Sequence, residues 1–367
     1  MGTRIIAIYH VKDSADRIAA RAHAIAVEQS VEMPVSAITD RGVLDDIVGK
    51  VEDIKDLHDG GFEVRIGLAV ATTGLEPGQL MNMLFGNSSI HADIELHDAE
   101  FPDSVLSAFG GPNHGLAGLR ARVGAKDRPL TCSALKPQGL DGKGLARIAG
   151  QLAKGGLDFI KDDHGIADQR YSPFAERVPA IADAVRDARA ADGGRTVYLP
   201  SLSGNLDQMR VQIGIARKAG LDGVLIAPMI TGLASFHTLV RENPDIAFMA
   251  HPALAGASHI APPLLLGKIF RLMGADATVF PNHGGRFGYS RQTCHALADA
   301  ALAPWGNLKN TVPVPAGGMT PERVPEMLQF YGSDVMLLIG GGLLAAGPRM
   351  TEEAAKFQNA VASAMVA

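Results

Sequence analysis

The chain of 367 residues contains only two cysteines, Cys132 and Cys294, and a single tryptophan, Trp305. The cysteines lie far apart and share no metal-ligand spacing, so they read as free thiols in a reducing compartment rather than as a disulfide framework. Charge of one sign is also missing. Lysine and arginine number 34 against 39 acidic residues, for a formal charge of −5, and no basic block stands out. Nucleic-acid binding therefore lacks an electrostatic footprint. Long apolar runs are absent too. Stretches such as VMLLIGGGLLAAG are rich in glycine and fall short of the ~20 residues needed to cross a bilayer. The first residues, MGTRIIAIYHV, read as a strand and not as a signal peptide. No membrane partner and a cytoplasmic location are the expectation.

What the chain has in plenty is glycine, 42 residues, beside 47% hydrophobic and 20% charged residues. That is the composition of a globular protein with a sizeable core, and the length suits two domains, one of them large. Glycine in such numbers suggests tight βα turns and backbone that approaches ligands closely. Residues 4–10, 62–70 and 90–101 read as strands, and 14–28 and 75–85 as helices, with Ser14 a candidate cap. They form a small α+β unit. The glycine-rich stretch FGGPNHGLAG at 109–118 marks its end, and the reading divides the chain into 1–112 and 113–367.

From Pro129 onward short buried strands alternate with amphipathic helices. Strands are expected at 130–135, 159–163, 197–201, 223–228, 248–252, 277–281, 311–316 and 335–340. Helices are expected at 142–154, 173–190, 206–219, 232–241, 262–273, 291–302 and 321–331. Eight such repeats in about 240 residues predict a (β/α)8 TIM barrel, with a doubly wound open sheet as the alternative.

Function in such barrels gathers at the C-terminal ends of the strands. There the sequence places Lys136, Lys161-Asp162-Asp163-His164, His251, His283 and Arg286, then Gly317-Gly318 and Gly340-Gly341-Gly342. Glycines after the last two strands can cradle a phosphate with their amides, although ordinary tight turns use them as well. Lys161 and Asp163 sit two residues apart on one strand and should point the same way. A carboxylate near a lysine and a histidine can hold a divalent cation or tune an acid/base pair, and a lysine buried beside apolar residues can act as a base. His10, His23, His58, His97 and His237 have no motif around them and read as surface or packing residues.

Taken in order, these motifs resemble the ribulose bisphosphate carboxylase (RuBisCO) large chain. The likeness runs through Lys136-Pro137, Gly155-Gly156-Leu157-Asp158-Phe159-Ile160-Lys161-Asp162-Asp163, His251, the Ala-Gly-Gly at 316–318 and Gly340-Gly341-Gly342. It extends to Ala26-Val27-Glu28-Gln29-Ser30, Gly86-Asn87 and Phe109-Gly110-Gly111-Pro112-Asn113-His114-Gly115, and so covers nearly the whole chain. The resemblance implies a ferredoxin-like N-terminal domain before the barrel. It implies that Lys161 takes up CO2 as a carbamate and binds Mg²⁺ with Asp163, and that Lys136 is a general acid/base. His251, with His283 and Arg286, would contact the substrate, and Gly317, Gly318, Gly340 and Gly341 would bind its phosphate. Glu28 and Asn87 would reach a neighbouring subunit, making the active unit at least a homodimer.

The departures are as informative. His164 replaces the glutamate that is the family's third metal ligand, and imidazole suits softer metals better than Mg²⁺. Gln138-Gly139 replaces the second lysine of Lys-Pro-Lys, and PNHGGRFGYS lacks the lysine that closes over CO2. Pro252 stands where an arginine would bind a phosphate, and Met33-Pro34 replace a threonine and a tryptophan. These losses argue against carboxylation and match the RuBisCO-like (form IV) proteins, which share only the enolisation half of the chemistry. The resemblance then implies an isomerase of a phosphorylated sugar, with 5-methylthioribulose 1-phosphate in methionine salvage as the leading substrate. The alternatives are a 2,3-diketo-5-methylthiopentyl-1-phosphate enolase, a decarboxylase of a 3-oxo sugar-acid phosphate, and a non-catalytic phosphosugar-binding protein.

Overall fold

The computed structural model describes residues 2–363 except Asp192 and Arg286. The chain separates into two compact units. The first holds residues up to Gly110 together with 254–265 and 306–308, and the second holds the remainder.

The first unit is built on a four-stranded sheet of β1 (Arg4–Lys12), β2 (Lys50–Asp56), β3 (Gly61–Ala69) and β4 (Ile94–Glu100), in the order β2-β3-β1-β4. Helices Ile18–Glu28 and Pro77–Phe85 connect β1 to β2 and β3 to β4, which gives the expected ferredoxin-like βαββαβ pattern. Strand alternation buries Tyr9, Val11, Val64, Ile66 and Leu96. Sequence patterning missed β2, because this edge strand, KVEDIKD, buries no residue and carries charge along its length. The first helix starts later than expected. Ser14 lies in the preceding turn, where its carbonyl accepts from the Arg17 and Ile18 amides, so it does not cap the helix.

The second unit is the expected barrel. Its strands are β5 (Leu130–Leu135), β6 (Phe159–Asp162), β7 (Val197–Leu199), β8 (Gly223–Ile226), β9 (Ala247–Ala250), β10 (Ala277–Pro281), β11 (Val312–Ala316) and β12 (Met336–Leu338). They form one eight-stranded parallel sheet, running from β7 through β6, β5, β12, β11, β10 and β9 to β8. The two end strands meet through a parallel bridge between Ser201 and Leu225, so the sheet closes on itself. Closure excludes the doubly wound alternative.

Leu130, Cys132, Phe159, Leu199, Leu225, Met249, Val279, Val314 and Leu338 fill the barrel core. Leu116, Leu119 and Val123 belong to the same cluster. They come from the helix Gly115–Val123, which stands where the sequence suggested only a glycine-rich boundary. The Asp276 carboxylate, one residue before β10, accepts the His114 and Gly115 amides at 2.7 and 2.8 Å and the Phe248 amide at 2.9 Å. This fastens the helix across the N-terminal end of the barrel and leaves the C-terminal end for chemistry. No helix among the described residues is long and apolar enough to cross a membrane.

Candidate active site

Side-chain alternation along the barrel strands decides which motif residues meet. Cys132 of β5, Phe159 of β6 and Met249 of β9 face the core. Residues an even number of positions further on, Lys136, Lys161, Asp163 and His251, share that inward phase at the C-terminal ends. The contacts agree. Lys136 Nζ lies 3.1 Å from Asp163 Oδ1, and His164 Nδ1 lies 3.6 Å from the same oxygen. The His164 ring stacks on His251, with centroids 4.1 Å apart and planes 12° from parallel. Four of the expected groups thus form one linked cluster, with Lys161 beneath it.

Lys161 is 3% exposed, and its Nζ donates to the Asp162 carbonyl at 3.0 Å. Burial lowers its pKa, and the nearby Asp163 carboxylate only partly offsets that. The shift is towards the neutral amine, the nucleophilic form of lysine. Burial alone would raise the Asp163 carboxyl. The neighbouring His164 imidazole and Lys136 ammonium outweigh it and hold Asp163 well below the usual carboxylate range. Cys132, fully buried in the barrel, has its thiol pushed up to about 12 by desolvation, which keeps it unreactive.

His251 has a defined tautomer. The Ala253 amide donates to Nδ1 at 3.1 Å, so the proton of the neutral ring sits on Nε2, which is then a donor. Burial, followed by the charges of Lys161 and His164, pushes its pKa from 6.5 to about 2. The unfolded chain takes up this proton near pH 6.5 and the folded chain does not. Stability of the metal-free protein should therefore decline as pH falls below 6.5. The contribution of this one ring is up to about 1.4 kcal/mol per pH unit. In His251→Asn that share of the decline should vanish, as urea unfolding between pH 7 and pH 5 in the presence of a chelator would read. An unchanged pH slope would mean that His251 is not desolvated.

The alternation that turns Lys161 and Asp163 inward turns Asp162 outward. Its buried carboxylate pairs with Arg177 at 3.2 Å, both side chains having no exposure. It also accepts from the Tyr198 hydroxyl at 2.8 Å and the Ser201 amide at 3.0 Å. Arg177, on helix Phe174–Ala190, reaches back to the Ala167 and Ser172 carbonyls, each at 2.7 Å. This clamp ties β6 to β7 and to the loop after β6, and so positions the residues on either side of Asp162. The sequence reading missed the clamp, although one sign was available. Arg177 sits among Phe174, Val178 and Ile181 on the buried face of an otherwise amphipathic helix.

The other expected residues are placed as follows. His283 is 5% exposed, and its ring packs edge-on against Phe330 at 4.7 Å. Its Nε2 finds no hydrogen-bond partner among the described residues. Arg286 lies outside the described residues. Gly317 and Gly318 have φ values of 88° and 65°, which few residues other than glycine adopt. A Cβ on Gly318 would also come within 3.1 Å of Gly285 Cα, so the loops after β10 and β11 abut. At Gly317, Gly340 and Gly341 a Cβ would meet open space. In the first unit, the exposed Asn87 donates to Glu28 at 2.8 Å and to Glu32 at 3.2 Å.

Residues 115–366 match the family model for the ribulose bisphosphate carboxylase large chain, catalytic domain. The chain belongs to that family. Within it, its similarities are to RuBisCO-like proteins. It is 60% identical over 365 residues to a 5-methylthioribulose-1-phosphate isomerase of Rhodospirillum rubrum, covering 99% of this chain and 98% of that one. It is 32% identical over 317 residues to a 2,3-diketo-5-methylthiopentyl-1-phosphate enolase of Geobacillus thermodenitrificans, covering 80% and 76% of the two chains. The crystal structure of a Rubisco-like protein from Rhodopseudomonas palustris superposes with a TM-score of 0.93 at 57% identity, over 99% of this chain and 98% of that one. The family thus accounts for both the barrel and the ferredoxin-like sheet.

Proposed function

We propose that this RuBisCO-like chain is an enzyme that isomerises 5-methylthioribulose 1-phosphate through an enediolate. The observation that carries the reading is the rim cluster of buried Lys161, ionised Asp163 and ion-paired Lys136, in a chain so similar to a relative named for that reaction.

The residues fit the family's metal. Lys161 offers a buried amine held towards its neutral form, which can attack CO2 at carbon and release a proton, leaving a carbamate. With Asp163 and His164 that carbamate would complete a set of two oxygen-bearing groups and one imidazole. A divalent ion held there would polarise the substrate carbonyl and stabilise the enediolate. The imidazole favours a softer ion than Mg²⁺ in that position.

The chain's own groups have the remaining tasks. Lys136, 3.1 Å from Asp163, is placed to move a proton between substrate and rim. His251, neutral with its proton on Nε2, can donate a hydrogen bond to a substrate oxygen. The open backbone at Gly317, Gly340 and Gly341 leaves room for one phosphate. Glu28 and Asn87, next to Ile90 at 81% exposure, support a homodimer in which this surface is covered by a partner.

Enolisation is tested by solvent deuterium exchange. With divalent metal and bicarbonate, the proton beside the ketose carbonyl should exchange at a rate that depends on enzyme. Tight binding of the sugar phosphate without exchange would leave only a binding role. The enolase reading keeps a specific support, the 32% identity to a relative of that name. Turnover of 2,3-diketo-5-methylthiopentyl 1-phosphate, with none of the ribulose phosphate, would select it.

A further inference from the structure

In the first unit, the sheet face opposite Tyr9, Val11 and Leu96 gathers imidazoles and carboxylates that the proposed reaction does not use. Strand β1 lies between β3 and β4, so His10 is paired in register with Glu63 on one side and Glu95 on the other. Tyr9, Val11 and Leu96 point to the buried face, which leaves His10 and Glu95 outward. The pairing of β1 with β4 shifts between Ile8, opposite Asp98, and Tyr9, opposite Leu96. His97 is the extra residue of this bulge. Its ring lies parallel to that of His10, with centroids 3.6 Å apart and planes 12° from parallel. His97 Nδ1 is 3.2 Å from Glu95 Oε1.

We propose that His10, Glu95 and His97 form a binding site for a divalent transition metal of the zinc class. One ligand atom from each lies within 4.8 Å of the others. Two imidazoles and a carboxylate are a donor set that zinc accepts, with a further position left for water or a small ligand. Ligand atoms around zinc stand ~3.3 Å apart, from bond lengths near 2.0–2.1 Å in a tetrahedron, so the side chains need to close by up to ~1.5 Å and the two stacked rings must turn apart until both in-plane lone pairs meet the ion. They are free to do so, because His97 and Glu95 keep 42% and 48% of their side-chain surface exposed. A cavity of about 440 Å³ opens beside them, lined also by Asp59, Asp93 and His259. Asp59 adds a carboxylate to that approach, while Asp93 is paired with Arg21 at 3.1 Å and Lys12 lines the same cavity. The ordinary alternative is a stacked histidine pair on a solvated strand face. Against it, the bulge and the register converge two borderline nitrogen donors and a carboxylate on one point. Mg²⁺ and Ca²⁺, which prefer all-oxygen shells, are poor occupants.

The test uses the full chain, stripped of metal, titrated with Zn²⁺ and with Co²⁺ as a spectroscopic probe. Asp163→Asn serves as background, so that the barrel rim does not compete for the ion. One equivalent of Zn²⁺ should bind, Co²⁺ should develop the visible bands of a low-coordinate site, and Zn²⁺ should raise the melting midpoint. Adding His97→Ala or His10→Ala should weaken binding by at least about 10- to 100-fold, the loss seen for even outer-sphere partners of metal sites, and abolish the rise in midpoint. Circular dichroism of each variant checks the fold. On the Asp163-intact protein, His97→Ala should leave deuterium exchange into the ketose phosphate unchanged. Zn²⁺ affinity unaltered by both histidine substitutions, or no binding at millimolar Zn²⁺, would overturn the assignment.

Discussion

Lys161→Ala is expected to abolish metal-dependent enolisation. Removing the lysine removes the buried amine and with it the carbamate that would hold the ion. A bound metal contributes several kcal/mol to stabilising an enediolate, and about 4 kcal/mol corresponds to roughly a thousandfold in rate. The loss should be at least that large. Lys161→Arg should fail as well. Guanidinium stays charged where burial now favours a neutral amine, and it does not take up CO2. The fold should survive Lys161→Ala, because among the described residues Lys161 Nζ donates to the Asp162 carbonyl alone and forms no ion pair. Initial rates with and without bicarbonate read both parts. Wild type should respond to bicarbonate and the variants should not. A Lys161→Ala protein with normal turnover would remove Lys161 from the chemistry.

Asp162→Ala is expected to be the most damaging single change to stability. Arg177 would be left fully buried without its carboxylate, and the Tyr198 hydroxyl and Ser201 amide would lose their acceptor. Breaking one side of a buried ion pair costs about 3–5 kcal/mol. Turnover of whatever protein folds should fall too, because Lys161 and Asp163 flank the lost anchor. A paired replacement, Asp162→Leu with Arg177→Met, should recover much of the stability, since apolar pairs of similar size often replace buried ion pairs without loss. Urea midpoints of the three proteins decide this. A cost below about 1 kcal/mol for Asp162→Ala would put the pair in the class of exposed salt bridges, against its complete burial.

The barrel was legible because its eight strands are short, apolar and evenly interrupted by amphipathic helices, a pattern with few structural solutions. The helix Arg291–Leu302 falls where its spacing places it. The edge strand β2 was not legible, because a charged strand that buries nothing carries no periodic signal. Helix Gly115–Val123 was hidden by its glycines. Its first amides are held by the Asp276 carboxylate, 161 residues away from Gly115, and its apolar face packs into the barrel core, neither of which a local pattern encodes. At the rim, strand phase puts Lys161 and Asp163 on one side, and the contacts tie Asp163 to Lys136 and His164. The same phase should have separated Asp162 from its neighbours, since alternation turns it to the helix layer. The histidine cluster of the first unit was invisible for another reason. His10 and His97 lie 87 positions apart, and only the antiparallel register and its bulge bring them together.

The reaction proposed for this rim is the isomerisation of a methylthio sugar phosphate. The most direct test incubates the metal- and bicarbonate-activated protein with 5-methylthioribulose 1-phosphate in deuterated buffer and follows the phosphorus and proton spectra by NMR. The expected result is a new sugar-phosphate species with the phosphate ester intact and deuterium incorporated at exchanging carbon positions. Both should be lost in Lys161→Ala. An unchanged spectrum after prolonged incubation with folded, metal- and bicarbonate-treated protein would contradict that reaction.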